Sequence, residues 1–277
     1  MLTKKLSRDT QEALNIGQQA VPIILSYFKQ DIQVDLKDND QFNPVTRADK
    51  EADDFLRTAL AKAFPNDKTL SEENPLPPES FDGHVWMVDP LDGTKDFVAG
   101  RDCFSINIGR VDDGRPTVGI IIVPARGWIF VAERGKGAYE VVNGNLKPIR
   151  VSRITEIAKS RLLTHSPSKE IRPLERLIFK LPFKEHIEEG GGTKQVLLAS
   201  GRAEAQINSN PRGSKWDVLA GEVIITEAGG VLSDLDGQPI NYRHPESRLE
   251  KSYVASNNPL MHAAIIAAMK PWRDYLA

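Results

Sequence analysis

Val85-Trp86-Met87-Val88-Asp89-Pro90-Leu91-Asp92-Gly93-Thr94-Lys95-Asp96-Phe97 is the stretch on which the reading of this chain turns. Val85 to Val88 is an unbroken apolar run, the pattern of a buried strand. Pro90 removes a backbone donor, so the strand is expected to end on Asp89 and Pro90. Asp92-Gly93 is a turn signal, and Thr94 suits the cap of a helix that starts there. Two carboxylates three residues apart thus stand at the mouth of a strand, beside the N–H groups of a helix start. Paired hard oxygens suit Mg²⁺, and helix N-termini suit phosphate. Taken alone, the corner reads equally as a strand–turn–helix junction with aspartates as turn formers. What separates the two readings is whether further acids join it.

Upstream, Leu14, Gly17, Val21, Ile24, Leu25 and Phe28 recur at helical spacing, which predicts a helix over 7–29 with a kink at Pro22. Residues 31–41 are polar and aperiodic, the pattern of a mobile loop. Thr46 is an N-cap with Asp49 three residues on, an acidic variant of the capping box. The helix that follows turns Ala52, Phe55, Leu56, Ala59 and Leu60 to one side and stops before Pro65. By itself Asp49 only complements the helix dipole. Glu72-Glu73 lies between a short apolar step and a proline-rich loop, 75–78. Such a pair is ordinarily solvated, but a loop beside the strand ending in Asp89 would bring Glu72 to the same pocket.

Downstream the texture changes to short strands. Phe104 to Ile108 alternates, and Asp112-Asp113-Gly114 turns into a continuous apolar strand, Thr117 to Val123. Trp128–Glu133 and Ala138–Val142 follow, with Asn143-Gly144 as a hairpin signal and a further strand at 147–152. This is an antiparallel meander. The second half returns to mixed α/β: a strand at 161–164, a helix over 168–180, the run Gly190-Gly191-Gly192 opening a helix over 193–200, and a strand at 203–207. A glycine run is a flexible connector or a loop that lets N–H groups approach an anion. Trp216 to Gly230 is a nearly all-apolar helix ending on glycine, so it is buried, and Asp217 in its first turn needs a partner or a cation. Strands at 231–235 and 253–255 and a helix from Pro259 close the chain.

Composition excludes several classes. The 277 residues suffice for a sizeable core, at 40% hydrophobic and 27% charged, which is ordinary for a globular protein. A net charge of −2 argues against a nucleic-acid polymer as partner. Cys103 is the only cysteine, which excludes a disulfide framework and a cysteine zinc site. No run has the length of a membrane span and the N-terminus has no signal-peptide core, so a cytoplasmic protein is expected.

Glu72, Asp89, Asp92 and Asp217 are four acids on or beside buried elements. Clustered carboxylates repel one another unless divalent ions resolve the conflict, and two such ions about 3.5–4 Å apart clamp a phosphoryl group. No His–Ser or His–Cys pairing supports a covalent acyl mechanism.

These residues resemble the inositol monophosphatase family in three motifs: Glu72-Glu73, Asp89-Pro-Leu-Asp92-Gly-Thr94, and Trp216-Asp217 with the Gly229-Gly230 helix end. The likeness runs from Asn43 to Asn257. It implies a Mg²⁺-dependent, lithium-sensitive phosphomonoesterase with a layered αβαβα sandwich, α/β (α+β) in class. It would be one unit over 1–277, with an α+β half at 1–152 and an α/β half at 153–277. It also implies two to three Mg²⁺ ions: one held by Glu72, Asp89 and the carbonyl of Leu91, a second by Asp89, Asp92 and Asp217, and a third near Glu72. Asp49 and Thr94 would orient the attacking water, and the N–H groups of Gly93 and Thr94 would receive the phosphate. Asp217, Lys194 and Arg212 are the further substrate-binding candidates. Lys95-Asp96-Phe97 and Lys194 are closest to the 3'(2'),5'-bisphosphate nucleotidase branch, which makes adenosine 3',5'-bisphosphate the expected substrate. Gly191 and Gly192, where that branch carries serines, and the short Pro211-Arg212-Gly213 segment depart from it. Inositol 1-phosphate or histidinol phosphate is therefore the alternative, and a non-catalytic binding homologue the remote one. Family members occur as dimers, so a homodimer is compatible with the resemblance.

Overall fold

The computed structural model describes residues 5–30, 34–36, 44–75, 78, 80–165, 178–208 and 213–276. Helix α1 is Arg8–Tyr27, capped by Ser7, and it runs through Pro22 unbroken. Within the segment read as a loop lies a short strand, β1 (Val34–Leu36), paired antiparallel with β2 (Pro44–Thr46). Helix α2 (Arg47–Ala63) follows directly, with the predicted capping box of Thr46 and Asp49.

A seven-stranded sheet comes next in chain order: β3 (Lys68–Ser71), β4 (His84–Asp92), β5 (Ser105–Asp112), β6 (Arg115–Val123), β7 (Trp128–Glu133), β8 (Gly137–Val142) and β9 (Asn145–Pro148). β3 and β4 are parallel, and from β4 onward the strands form the expected antiparallel meander. Helix α3 (Thr94–Val98) lies between β4 and β5. β9 begins earlier than the sequence suggested, because Asn143 and Gly144, both left-handed (φ 49° and 73°), close a two-residue hairpin.

The second sheet has the spatial order β11-β10-β12-β14-β13. Its strands are β10 (Arg161–Thr164), β11 (Glu185–Glu188), β12 (Ala205–Ile207), β13 (Val231–Asp234) and β14 (Tyr253–Ser256). β11 had no sequence signal, since Glu185-His-Ile-Glu188 is too short and polar to show a period. Helices α4 (Thr193–Ala199), α5 (Lys215–Glu227) and α6 (Pro259–Leu276) complete the chain. The helix expected over 168–180 falls mostly on residues outside those described.

Among the described residues, three apolar clusters make five layers. Leu14, Ile24, Leu56 and Leu60 of α1 and α2 pack on Trp86, Val88, Ile106 and Ile120, one face of the large sheet. Val85, Met87, Ile121 and Phe130, on its other face, meet Val196 and Leu198 of α4, Val218, Leu219 and Ile224 of α5, and Leu163 and Ala255 of the small sheet. Leu162, Ile207 and Val254 on the far side of the small sheet meet Met261 and Ile265 of α6. Both faces of β4 are thus covered, which is why its apolar residues run without alternation. The layers read α, β, α, β, α.

Candidate active site

The corner after β4 does not break at Pro90. The strand continues to Asp92 through a register shift: Asp89 lies opposite Asn107 and Asp92 opposite Ser105. Two residues of β4, Pro90 and Leu91, therefore face one of β5, which is a bulge. Proline tolerates this position because a bulge releases a ladder donor. The consequence is one of parity. In a regular strand residues three apart point to opposite faces; the extra residue returns Asp92 to the side of Asp89. Ser105 and Asn107 mark that side, since Ser105 Oγ lies 2.9 Å from Asn107 Oδ1. Asn107 Nδ2 in turn donates to Asp92 Oδ2 at 2.8 Å.

Other elements bring the remaining acids. The N–H of Glu72, just past β3, donates to the carbonyl of Val88, extending the parallel pairing and setting Glu72 beside Asp89. Asp217 is the third residue of α5 and takes the Ser214 N–H on Oδ2 at 2.8 Å. One carboxylate oxygen from each of Glu72, Asp89 and Asp217 lies within 4.8 Å of the others. Burial, and then the charges of Glu72, Asp92 and Asp217, push the Asp89 carboxyl well above the ordinary range. Burial, then Asp92 and Glu72, do the same to Asp217. Burial pushes Asp92 up to about 6, opposed by Lys194 and the Asn107 bond. Carboxylates arranged this way are destabilised as neighbours and suited as a hard-oxygen donor set for a divalent cation. Asp89 Oδ1 also accepts the Leu91 N–H at 3.0 Å, which fixes its rotamer within the bulge.

Asp49 and Thr94 meet beside this cluster. Thr94 Oγ1 lies 3.0 Å from Asp49 Oδ1 and 3.1 Å from the Leu91 carbonyl, two acceptors for one proton. The other Asp49 oxygen takes the Thr46 N–H at 2.8 Å and the Thr46 hydroxyl at 2.5 Å. Burial raises the Asp49 pKa against those bonds. Thr94 is not the cap of α3 as expected. Gly93 is, with φ 94°, a conformation that disfavours any side chain there, and Thr94 opens the helix with its hydroxyl turned to Asp49.

Gly190-Gly191-Gly192 is no plain connector. A Cβ at Gly190 would stand 2.0 Å from Asp96 Oδ2, one at Gly191 2.6 Å from the Asp92 carbonyl, and one at Gly192 2.6 Å from Asn107 Oδ1. The Gly192 N–H donates to Ser105 Oγ at 2.9 Å. The run packs its backbone directly on the Asp92–Asp96 turn. Lys194, two residues on, is only 3% exposed. Its Nζ donates to the Glu189 carbonyl at 3.2 Å. Burial lowers its pKa, against the favourable charges of Asp92 and Asp96. Arg212 lies outside the described residues. Sequence reasoning missed Ser105 and Asn107, though the alternation of Phe104, Ile106 and Ile108 left these two polar residues on one face of a buried strand. It also missed Asp53, one turn beyond Asp49, which bonds Arg57 Nε at 2.7 Å and the hydroxyl of Ser71, the residue before Glu72.

Among the described residues, no helix is long and apolar enough to cross a membrane. The profile of the inositol monophosphatase family matches residues 5–272. A 3'(2'),5'-bisphosphate nucleotidase CysQ of Aggregatibacter actinomycetemcomitans is 30% identical over 247 residues, 88% of this chain and 91% of that protein. A histidinol-phosphatase of Chlorobaculum parvum is 32% identical over 268 residues, 95% and 97% of the two chains. An IMPase of Thermotoga maritima superposes with a TM-score of 0.81 at 24% identity, covering 96% of this chain and 98% of that one, which shows the shared fold. The chain belongs to the inositol monophosphatase family and is a phosphoric monoester hydrolase.

Proposed function

We propose that this phosphatase is dependent on divalent cations, and that it cleaves the 3'-phosphate of a 3'(2'),5'-bisphosphate nucleotide, releasing AMP from adenosine 3',5'-bisphosphate. The observation that carries the cation requirement is the convergence of Glu72, Asp89 and Asp217 within 4.8 Å. With Asp92 and the Leu91 carbonyl, these residues would hold Mg²⁺. Such ions, when bound, supply charge against the phosphoryl oxygens and lower the pKa of a bound water. The chain's own groups do the rest. Asp49, anchored by Thr46, accepts the Thr94 hydroxyl proton, so Thr94 Oγ1 presents its lone pairs to a water and orients it. The N–H groups of Gly93 and Thr94 receive the phosphate. A cytoplasmic location and inhibition by lithium belong to the same reading.

Lys95-Asp96-Phe97 and the CysQ relative support the nucleotide. The burial of Lys194 favours a second reading, in which the leaving group carries no further phosphate, as in histidinol phosphate or inositol 1-phosphate. Phosphate release from the three esters in Mg²⁺ decides. The highest kcat/KM is expected for adenosine 3',5'-bisphosphate; a higher value for either monophosphate overturns the nucleotide assignment. Full activity in excess chelator overturns the cation requirement.

A further inference from the structure

Behind Asp217 lies a polar side chain that neither the motifs nor the proposed chemistry uses. Gln195, on α4, is 2% exposed. Its Nε2 donates to the backbone carbonyl of Asp217 at 2.8 Å and lies 3.3 Å from the Tyr253 hydroxyl. Tyr253 in turn takes Gln206 Nε2 at 2.9 Å, so the glutamine is anchored to the small sheet. The amide cannot be turned over, because a flipped Oε1 would face the Asp217 carbonyl, acceptor against acceptor. Among the described residues, Gln195 Oε1 has no hydrogen-bond partner. An orphaned buried acceptor is destabilising, and it accompanies the placement of the amide nitrogen on the Asp217 carbonyl.

The helix facing Gln195 is shaped for it. A Cβ at Gly221 would stand 2.0 Å from Gln195 Oε1 and 2.2 Å from its Cδ. Gly221 is four residues after Asp217, directly above it on α5. A glycine in a helix interior is unfavourable relative to alanine. Its φ lies outside the left-handed range, so the backbone does not require it; the space does. α4 is also the helix that follows Gly190–Gly192, whose backbone packs on Asp92, Ser105 and Asn107. Gln195 thus spans from the Asp92 side of the acidic centre to the Asp217 side.

We propose that Gln195, seated in the notch left by Gly221, is a positioning residue that sets the Asp217 carboxylate against Glu72 and Asp89. The inference rests on the reading of Asp217 as a cation ligand. Groups that hold a metal ligand without touching the metal typically contribute 10–100-fold in affinity.

The test is a calorimetric titration of the full chain with Mn²⁺ in four forms: wild type, Gln195→Leu, Gly221→Ala and the double variant, with Asp217→Asn as control and Tm measured for each. Gln195→Leu is expected to weaken Mn²⁺ binding roughly tenfold. Gly221→Ala, whose methyl takes the place of Oε1, is expected to do the same, and the double variant to be no weaker than the worse single one. Gly221→Ala changes no polar group, so it carries the test if Gln195→Leu does not fold. Lowered Tm with a wild-type dissociation constant in both single variants means a structural role and overturns the proposal. Additive losses in the double variant separate the two positions and overturn it too. Wild-type binding in Gln195→Leu with weakened binding in Asp217→Asn rejects the positioning role alone. Wild-type binding in both rejects the metal reading, and the positioning role with it.

Discussion

α2 and α5 begin alike. Each has a hydroxyl residue at its cap, Thr46 or Ser214, and an aspartate three residues on whose carboxylate takes the cap's backbone N–H at 2.8 Å. Beyond that bond the two aspartates diverge. Asp49 accepts hydroxyls on both oxygens, from Thr46 and Thr94, and its neighbours hold it as a fixed acceptor. Asp217 stands against Glu72 and Asp89, and the charges of Asp92 and Glu72 repel it. One local device thus yields a fixed acceptor in one place and a carboxylate crowded by like charges in the other. The helix cap supplies the position and the rotamer; the facing element supplies the chemistry.

The comparison breaks most visibly at Asp217→Asn. Asparagine keeps an oxygen for the Ser214 N–H, so the helix start survives while the carboxylate charge is lost. A loss of several kcal/mol in charge stabilisation corresponds to a fall in kcat of about 10³-fold, with tightened Mg²⁺ requirement. A kcat within tenfold of wild type at saturating Mg²⁺ would show that the two aspartates do not differ as described.

Asp49→Asn should cost less, about 10²-fold in kcat, with KM and Mg²⁺ affinity near wild type. If Asp49 only complements the helix dipole, the substitution costs about 0.3–1 kcal/mol of stability and leaves turnover intact. Measuring Tm beside kcat separates the two outcomes.

The smallest effect is one of stability and pH. The Asp89 and Asp217 pKa values are raised, and Asp92 stands at about 6. A raised carboxyl pKa contributes stability below its unfolded value, and that contribution is lost as pH rises through the folded value. In chelator the protein should therefore melt lower at pH 8 than at pH 5, each kcal/mol lost appearing as about 2–4 °C in a chain of this size. Asp217→Asn, which removes a strongly raised carboxyl and its charge on Asp89, should flatten that slope more than Asp49→Asn, whose carboxyl burial raises against the bonds from Thr46 and Thr94, and saturating Mg²⁺ should abolish it. A Tm in chelator that is flat over this range in the wild type would remove repulsion from the account of Asp217.

The Thr46–Asp49 capping box was legible because a cap is written within four residues, whereas Ser214 was not read as the cap of α5. The meander was legible for a related reason: its turns, Asp113-Gly114 and Asn143-Gly144, are local signals between apolar runs. What stayed hidden depends on partners far along the chain. The bulge at Pro90 is defined only by the register against Asn107 and Ser105, so the sequence suggested a strand end where the strand continues. Lys194 was read as a substrate-binding cation, and its burial, beside a glycine run packed on Asp96, was not legible. Gln195 gave no signal, because its meaning lies in a missing side chain twenty-six residues later, at Gly221.

The glycine run has a consequence for anyone who would retune this enzyme. Its three positions border the turn that carries Asp92, and loops at such places are the natural first choice for a randomised library. Here each missing Cβ is space already filled by Asp96, the Asp92 carbonyl or Asn107. Diversity introduced at 190–192 would be answered by displacement of the acidic turn itself, so changes there and changes in the acidic centre cannot be selected separately.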